Sequence, residues 1–225
     1  MNKKNKNKKA QEQPLDEYLK RLKTDKPTYY VKDTAEGNES DVEILFILES
    51  PHKEEVKEGK PLMGNSGIDV SKFLGLRNNK EAFGKQVNEI SKLKIGIMNV
   101  SNIPLQVLKE TETNTNYQDA DGIRQNLNSI RDLEKINPTL LNFFCEKIRK
   151  YINVKKFVLC GAFACRYFDE YITCSKQTEI LKKIYKEDIE ILKVPHPSYG
   201  HWQFIDKHKA NLERLKELFS EVNEK

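Results

Sequence analysis

The sequence predicts an α/β fold: a three-layer sandwich in which helices cover both faces of a central, mainly parallel, four-stranded sheet. Two observations carry this expectation. Four short apolar runs bounded by polar residues read as buried strands: Val42–Leu48 (VEILFIL), Ile95–Val100 (IGIMNV), Lys156–Cys160 (KFVLC) and Ile189–Val194 (IEILKV). Stretches with helical spacing separate them, and strands that alternate with helices pack in parallel with both faces buried.

The elements follow in order. Leu15, Tyr18, Leu19 and Leu22 recur at helical spacing over 15–24. Residues 25–41 are polar, with Pro27, Gly37 and Asn38, and read as a connection to the first strand. Helical patterns then cover 67–76, 81–92, 139–152, 162–173 and 205–222. The stretch 101–122 is rich in Asn, Thr and Asp and reads as a surface loop long enough to carry function. There is no internal repeat.

A length of 225 residues suits one domain with a tail. The expected division is a disordered basic tail over 1–14 and a single domain over 15–225. The net charge of +5 is uneven: Lys3, Lys4, Lys6, Lys8 and Lys9 against Glu12 give residues 1–14 a charge of +4. The remainder is almost neutral, so affinity for a polyanion must come from the tail or a local patch. No apolar stretch approaches the roughly 20 residues of a membrane span. The basic start is followed by no apolar segment, so it is no secretory signal.

Cys145, Cys160, Cys165 and Cys174 show no C-x-x-C spacing. A zinc site is poorly supported, and free thiols in a reducing cytoplasm are the default.

In parallel sheets, ligands bind beyond the carboxyl ends of the strands. After the first strand come Glu49-Ser50-Pro51-His52 and then Gly59-Lys60-Pro61-Leu62-Met63-Gly64-Asn65-Ser66-Gly67. Glycines between a strand and a helix let backbone N–H groups approach a ligand; an ordinary connection is the equal alternative. The second strand ends at Asn99, whose amide donates and accepts at once and so matches a nucleobase edge. Tying down its own loop is the simpler role for such an Asn. After the fourth strand comes Pro195-His196-Pro197-Ser198-Tyr199-Gly200-His201-Trp202. The prolines stiffen the segment around His196, whose imidazole can donate to a developing negative charge. Tyr199, Trp202 and Phe204 either stack on bases or pack the loop onto the last helix.

Together these segments resemble the uracil-DNA glycosylase superfamily, from about Val42 to the final helix. ESPHKEEVKEGKPLMGNSG is similar to the first motif of the family-four enzymes, a Gly-Glu-Ala-Pro-Gly stretch followed by Gly-Arg-Pro-Phe-Val-Gly-x-Ala-Gly. IGIMNVSNIP is similar to their strand ending in a base-reading Asn. FVLCGAFACRYF resembles their Val-Leu-Leu-Gly-Ala-x-Ala segment, and VPHPSYGHW resembles the His-Pro-Ser motif.

The resemblance implies an enzyme that flips a nucleotide out of DNA and cuts its N-glycosidic bond. It implies His196 and Glu49 as catalytic residues, His196 donating to the departing base and Glu49 positioning water or the loop. Asn99 would read the base, and Ser50, Pro51, His52, Leu62 and Gly64 would shape its pocket. Pro197, Ser198, Tyr199 and Trp202 would contact DNA, duplex or single-stranded. Three positions depart from the pattern. Ser50 stands where the best-known members carry Asp, Leu62 stands where a Phe stacks on the base, and the cysteines do not fall where family-four enzymes bind an iron–sulfur cluster. No cofactor and no metal cluster are therefore expected, and such folds imply a monomer. The lack of an apolar span and of a secretory signal leads to the expectation of no membrane contact and a cytoplasmic location. The departures at Ser50 and Leu62 leave a second reading, a glycosylase-like module that binds DNA or a nucleotide without cleaving it. A third is hydrolysis of a free nucleoside or nucleotide.

Overall fold

The computed structural model describes residues 30–35, 37–90, 92–106, 131, 134–174, 189–198, 202 and 206–223. The basic tail, the helix expected over 15–24 and most of the 101–122 loop lie outside them.

The four expected strands form: β2 (Ile44–Leu48), β3 (Ile95–Asn99), β4 (Lys156–Cys160) and β5 (Glu190–Val194). They pair in parallel, Ile44 beside both Ile95 and Lys156, and Lys156 beside Glu190. Among the described residues the sheet holds five strands rather than four, with β1 (Thr34–Ala35) added in the order β1-β3-β2-β4-β5. This strand is antiparallel to β3 and lies within the segment expected to be only a connection. Two residues are too few to show an alternation.

Side-chain alternation sends each strand's residues to opposite faces. Leu45, Ile47, Met98, Phe157 and Leu159 join one core with α4 (Pro138–Ile148) and α5 (Gly161–Cys174). Ile44, Phe46, Ile97, Val158 and Leu192 join the other with α2 (Asn65–Phe73), α3 (Phe83–Gln86) and α6 (Lys209–Asn223). Aromatic rings fill both layers, Phe46 lying 5.1 Å from Phe83 on one side and Phe157 4.8 Å from Phe168 on the other. Asn137 caps α4 by accepting from the Leu140 amide at 3.0 Å, and Pro138 begins its first turn.

The helix expected over 81–92 is cut short to α3 and a 3-10 turn, Val87–Glu89. Gln86 ends α3; it is buried, and its side-chain nitrogen lies within hydrogen-bonding distance of Ser71 Oγ and of the Asn78 and Glu81 carbonyls, which ties this segment to the preceding loop.

Candidate functional site

The chain leaves β2 for β3 on one side of the sheet, while β4 lies on the other. The gap between the carboxyl ends of β2 and β4 is therefore a topological switch point, where open α/β sheets hold ligands. A cleft of about 1210 Å³ lies there, bounded by Leu48 and Glu49 of the β2 end, Cys160 and Gly161 of the β4 end, and His196 beyond β5.

Its floor is the segment 50–67, which contains α1 (Lys53–Glu58). The Glu55 carboxylate clasps this loop, accepting from the His52 amide at 2.5 Å and the Leu62 amide at 3.2 Å. Burial pushes the Glu55 carboxyl above its ordinary range; the two amide bonds oppose this, and neighbouring Glu54 adds to the rise. Leu62 sits at φ 52°, a left-handed conformation that a branched side chain adopts only when its surroundings enforce it. They do so here: Gly84 donates its amide to the Leu62 carbonyl at 3.1 Å. A Cβ at Gly67 would overlap that same carbonyl oxygen, and a Cβ at Gly84 would overlap the Pro61 carbonyl oxygen. Two glycines thus let the Pro61–Leu62 backbone seat between α2 and α3, with Leu62 buried at 1% exposure and facing the cleft.

Glu49 points into the cleft and meets Arg131, whose Nε donates to Oε1 at 2.5 Å and whose Nη2 reaches Oε2 at 3.4 Å. Ser50 accepts from the Leu105 amide through Oγ at 3.4 Å. This bond ties the strand end to 101–105, which is buried rather than a surface loop.

Asn99 closes β3 beside Leu48. It is 2% exposed, and its Nδ2 is buried without a hydrogen-bond partner among the described residues. It does not line the cleft as shaped here. Its backbone is anchored by a polar cluster: Asp33 accepts from the Asn99 amide at 3.3 Å, and the Lys147 ammonium donates to the Asn99 carbonyl. Lys147 also bonds Asn102 Oδ1 and pairs with Asp33 at 3.1 Å, while Asn102 Nδ2 donates to Asp33 at 2.9 Å. Burial lowers the affinity of the Lys147 amine for its proton, and Asp33 works against that.

His196 follows β5 and packs over the point where β4 runs directly into α5. Gly161 makes that crossing possible. Its φ is +90°, and a Cβ there would lie 3.0 Å from the His196 Cβ. Behind His196, Trp202 donates Nε1 to the Pro195 carbonyl at 2.8 Å and sets its ring against Phe73 at 5.4 Å.

Of the residues singled out in the sequence, Glu49, Ser50, His52, Leu62 and Gly64 therefore line one cleft with His196, Pro197 and Ser198. Pro51 is buried just behind the lining. Trp202 is 4% exposed and packs into the core beside Phe73 of α2, so its ring has no free face to offer a base. Tyr199 lies outside the described residues. Sequence reasoning missed Glu55, whose partners are the backbone amides of His52 and Leu62 and so carry no residue-type signal. It also missed Arg131 and the Asp33–Lys147 pair, for which the sequence carries no local signal.

The cysteines are free thiols, and burial raises the Cys160 thiol far above its usual range. Among the described residues no group of three or more His, Cys, Asp or Glu is placed to hold a metal ion, and no helix is long and apolar enough to cross a membrane.

Comparison with known proteins matches the profile of the Uracil DNA glycosylase superfamily over residues 34–220. Among solved structures, the fold is similar to a solution NMR structure of a Methanosarcina acetivorans protein named as a candidate uracil DNA glycosylase. The TM-score is 0.50 at 15% identity, over 87% of this chain and 98% of that one. No curated protein matches the sequence.

Proposed function

The chain belongs to the Uracil DNA glycosylase superfamily, and on that premise we propose that it hydrolyses the N-glycosidic bond of uracil or another altered base in DNA. The supporting observation is that Glu49 at the end of β2 and His196 after β5 line the same cleft at the switch point. In this reading the nucleotide is flipped out of the helix into the cleft. The C1′–N bond breaks heterolytically: its electron pair leaves with the base, and the sugar becomes an oxocarbenium ion. An imidazole N–H of His196 donates to the oxygen on which the base's negative charge accumulates. Glu49 orients the water whose oxygen bonds to C1′, and that water's proton passes to the carboxylate or to solvent. The products are the free base and an abasic site.

Pro197 and Ser198 are the candidates for holding the adjoining phosphate, and Leu62 supplies an aliphatic face under the base. Asn99 keeps its assignment as base reader in this proposal. A buried donor without a partner costs about 1–3 kcal/mol, and a base carbonyl brought to Nδ2 would relieve that cost.

One observation favours a second reading, a glycosylase-like module that binds DNA without cleaving it. The residue at the position expected to face the base is Leu62 rather than an aromatic ring. The test is an oligonucleotide panel, duplex and single-stranded, carrying uracil, hypoxanthine, xanthine or hydroxymethyluracil, followed by alkali. Strand breaks that fall by about 100-fold or more in His196→Ala support the enzyme, since losing one well-placed donor to developing charge costs that much. Tight binding with no break on any substrate establishes the module instead.

A further inference from the structure

We propose that Arg131 is a positioning residue for this site, acting through Glu49. The inference rests on the glycosylase reading and adds a residue that no motif supplied.

The geometry is specific. Arg131 approaches Glu49 from 82 residues away in sequence, with Nε on Oε1 at 2.5 Å and Nη2 near Oε2 at 3.4 Å. A guanidinium that meets a carboxylate in this side-on fork fixes its plane as well as its charge. The Glu49 side chain is 12% exposed and that of Arg131 is 38% exposed, so the carboxylate lies inside the cleft and the cation at its rim. The fork occupies the facing lone pairs of the two oxygens and leaves the outer ones turned away from it, where a water can be held. Among the described residues the cleft carries four carboxylates, Glu49, Glu54, Glu55 and Asp69, against two cations, Lys53 and Arg131. Glu55 is already clasped by two amides. Arg131 is thus the cation that offsets Glu49 in a cleft which must also admit a phosphate backbone. An oxocarbenium ion needs only a weak nucleophile, so a carboxylate restrained in this way orients water adequately without a strong pull on its proton.

The experiment is a double-mutant cycle under single-turnover conditions, on the panel member that the wild type cleaves fastest. Arg131→Ala should slow the chemical step by between about 10- and 100-fold, the scale of a misplaced reacting group. Arg131→Lys keeps the charge without the fork and should recover only part of this. In a Glu49→Gln background, Arg131→Ala should add less than about twofold, because its partner is gone. An equal slowing in both backgrounds overturns the proposal. So does a weakened DNA affinity with an unchanged chemical step and a salt slope reduced by about one, which would make Arg131 a phosphate contact. A readout free of catalysis separates this from failure of the glycosylase reading. The Arg131 Nε–H should be protected from solvent exchange by NMR and lose that protection in Glu49→Gln. A wild type with no such protection overturns the proposal whether or not any base is released.

Discussion

Gly161→Ala isolates the geometry that places His196. The added methyl carbon would lie 3.0 Å from the His196 Cβ and 3.5 Å from its Cδ2. Carbon atoms rest about 3.5–4.0 Å apart, so His196 or the start of α5 must move by about 0.5–1 Å. A displacement of that size at a reacting group costs up to about 100-fold in rate, and a tenfold loss is the least expected. Forcing Ala to φ +90° also strains the backbone by about 1–2 kcal/mol, so stability alone does not isolate the effect. Gly75→Ala is the control. It has the same handedness, φ +67°, but a Cβ there meets nothing within 4 Å. Both variants should lose stability in urea titrations, while only Gly161→Ala should lose single-turnover cleavage and shift the His196 ring resonances. A Gly161→Ala protein that cleaves within about twofold of wild type, with unmoved His196 signals, would refute the claim that the glycine makes room for the imidazole.

Three further outcomes are expected. Lys147→Met should destabilise by about 3–5 kcal/mol in urea, because it strands Asp33 beside the Asn99 and Asn102 amides; pairing it with Asp33→Asn should recover part of the loss. Trp202→Phe keeps a ring on Phe73 but removes the bond to the Pro195 carbonyl, which is worth about 1 kcal/mol. Melting should report that loss as a drop of about 2–4 °C, and cleavage should slow because the same carbonyl precedes His196. For pH dependence, hydrogen bonding from Lys155, with Lys94 adding, holds Glu43 below its ordinary 4.5 despite partial burial. In the window beneath that value the unfolded chain binds more protons. The contribution is therefore present above the ordinary carboxylate range and lost as pH falls through the folded value. Glu43→Gln should cost about 0.5–1 kcal/mol at neutral pH for this part-exposed pair and nothing in strong acid; an equal deficit at both would exclude the linkage.

How much of this was legible in the residues follows from where the restraints lie. Strands buried on both faces announce themselves, as the continuous apolar runs of β2 and β3 do; β4 and the half-buried β5 keep enough apolar residues that all four match their runs to within two residues. The glycines and prolines around the floor and around His196 were legible for the same local reason, since turns demand those residue types. The two-residue β1 and the broken helix after Phe83 were not. Thr34–Ala35 is a strand only through its pairing with Ile97 and Gly96 on the edge of β3, more than sixty residues on. Gln86, where α3 ends, has its side-chain partners at Ser71, Asn78 and Glu81, none of which its own periodicity reveals.

The site divides along the same line. Glu49 and His196 were visible because a strand's carboxyl end is a predictable place, whereas the environment that decides what they do comes from elsewhere in the chain. Trp202 illustrates this. An aromatic near a candidate DNA loop invites a stacking role, yet its Nε1 had to meet some acceptor and found the Pro195 carbonyl, one residue before His196. Its contribution to any reaction therefore passes through the backbone that carries the imidazole. In the proposal Arg131 does the same for Glu49 from the cleft rim, through two hydrogen bonds that no spacing predicts. In the proposed reading Glu49 and His196 are each positioned through a second residue, Arg131 at the cleft rim and Trp202 behind it, so substitutions at Trp202 and Arg131 should alter rate before they alter the affinity of the cleft for DNA.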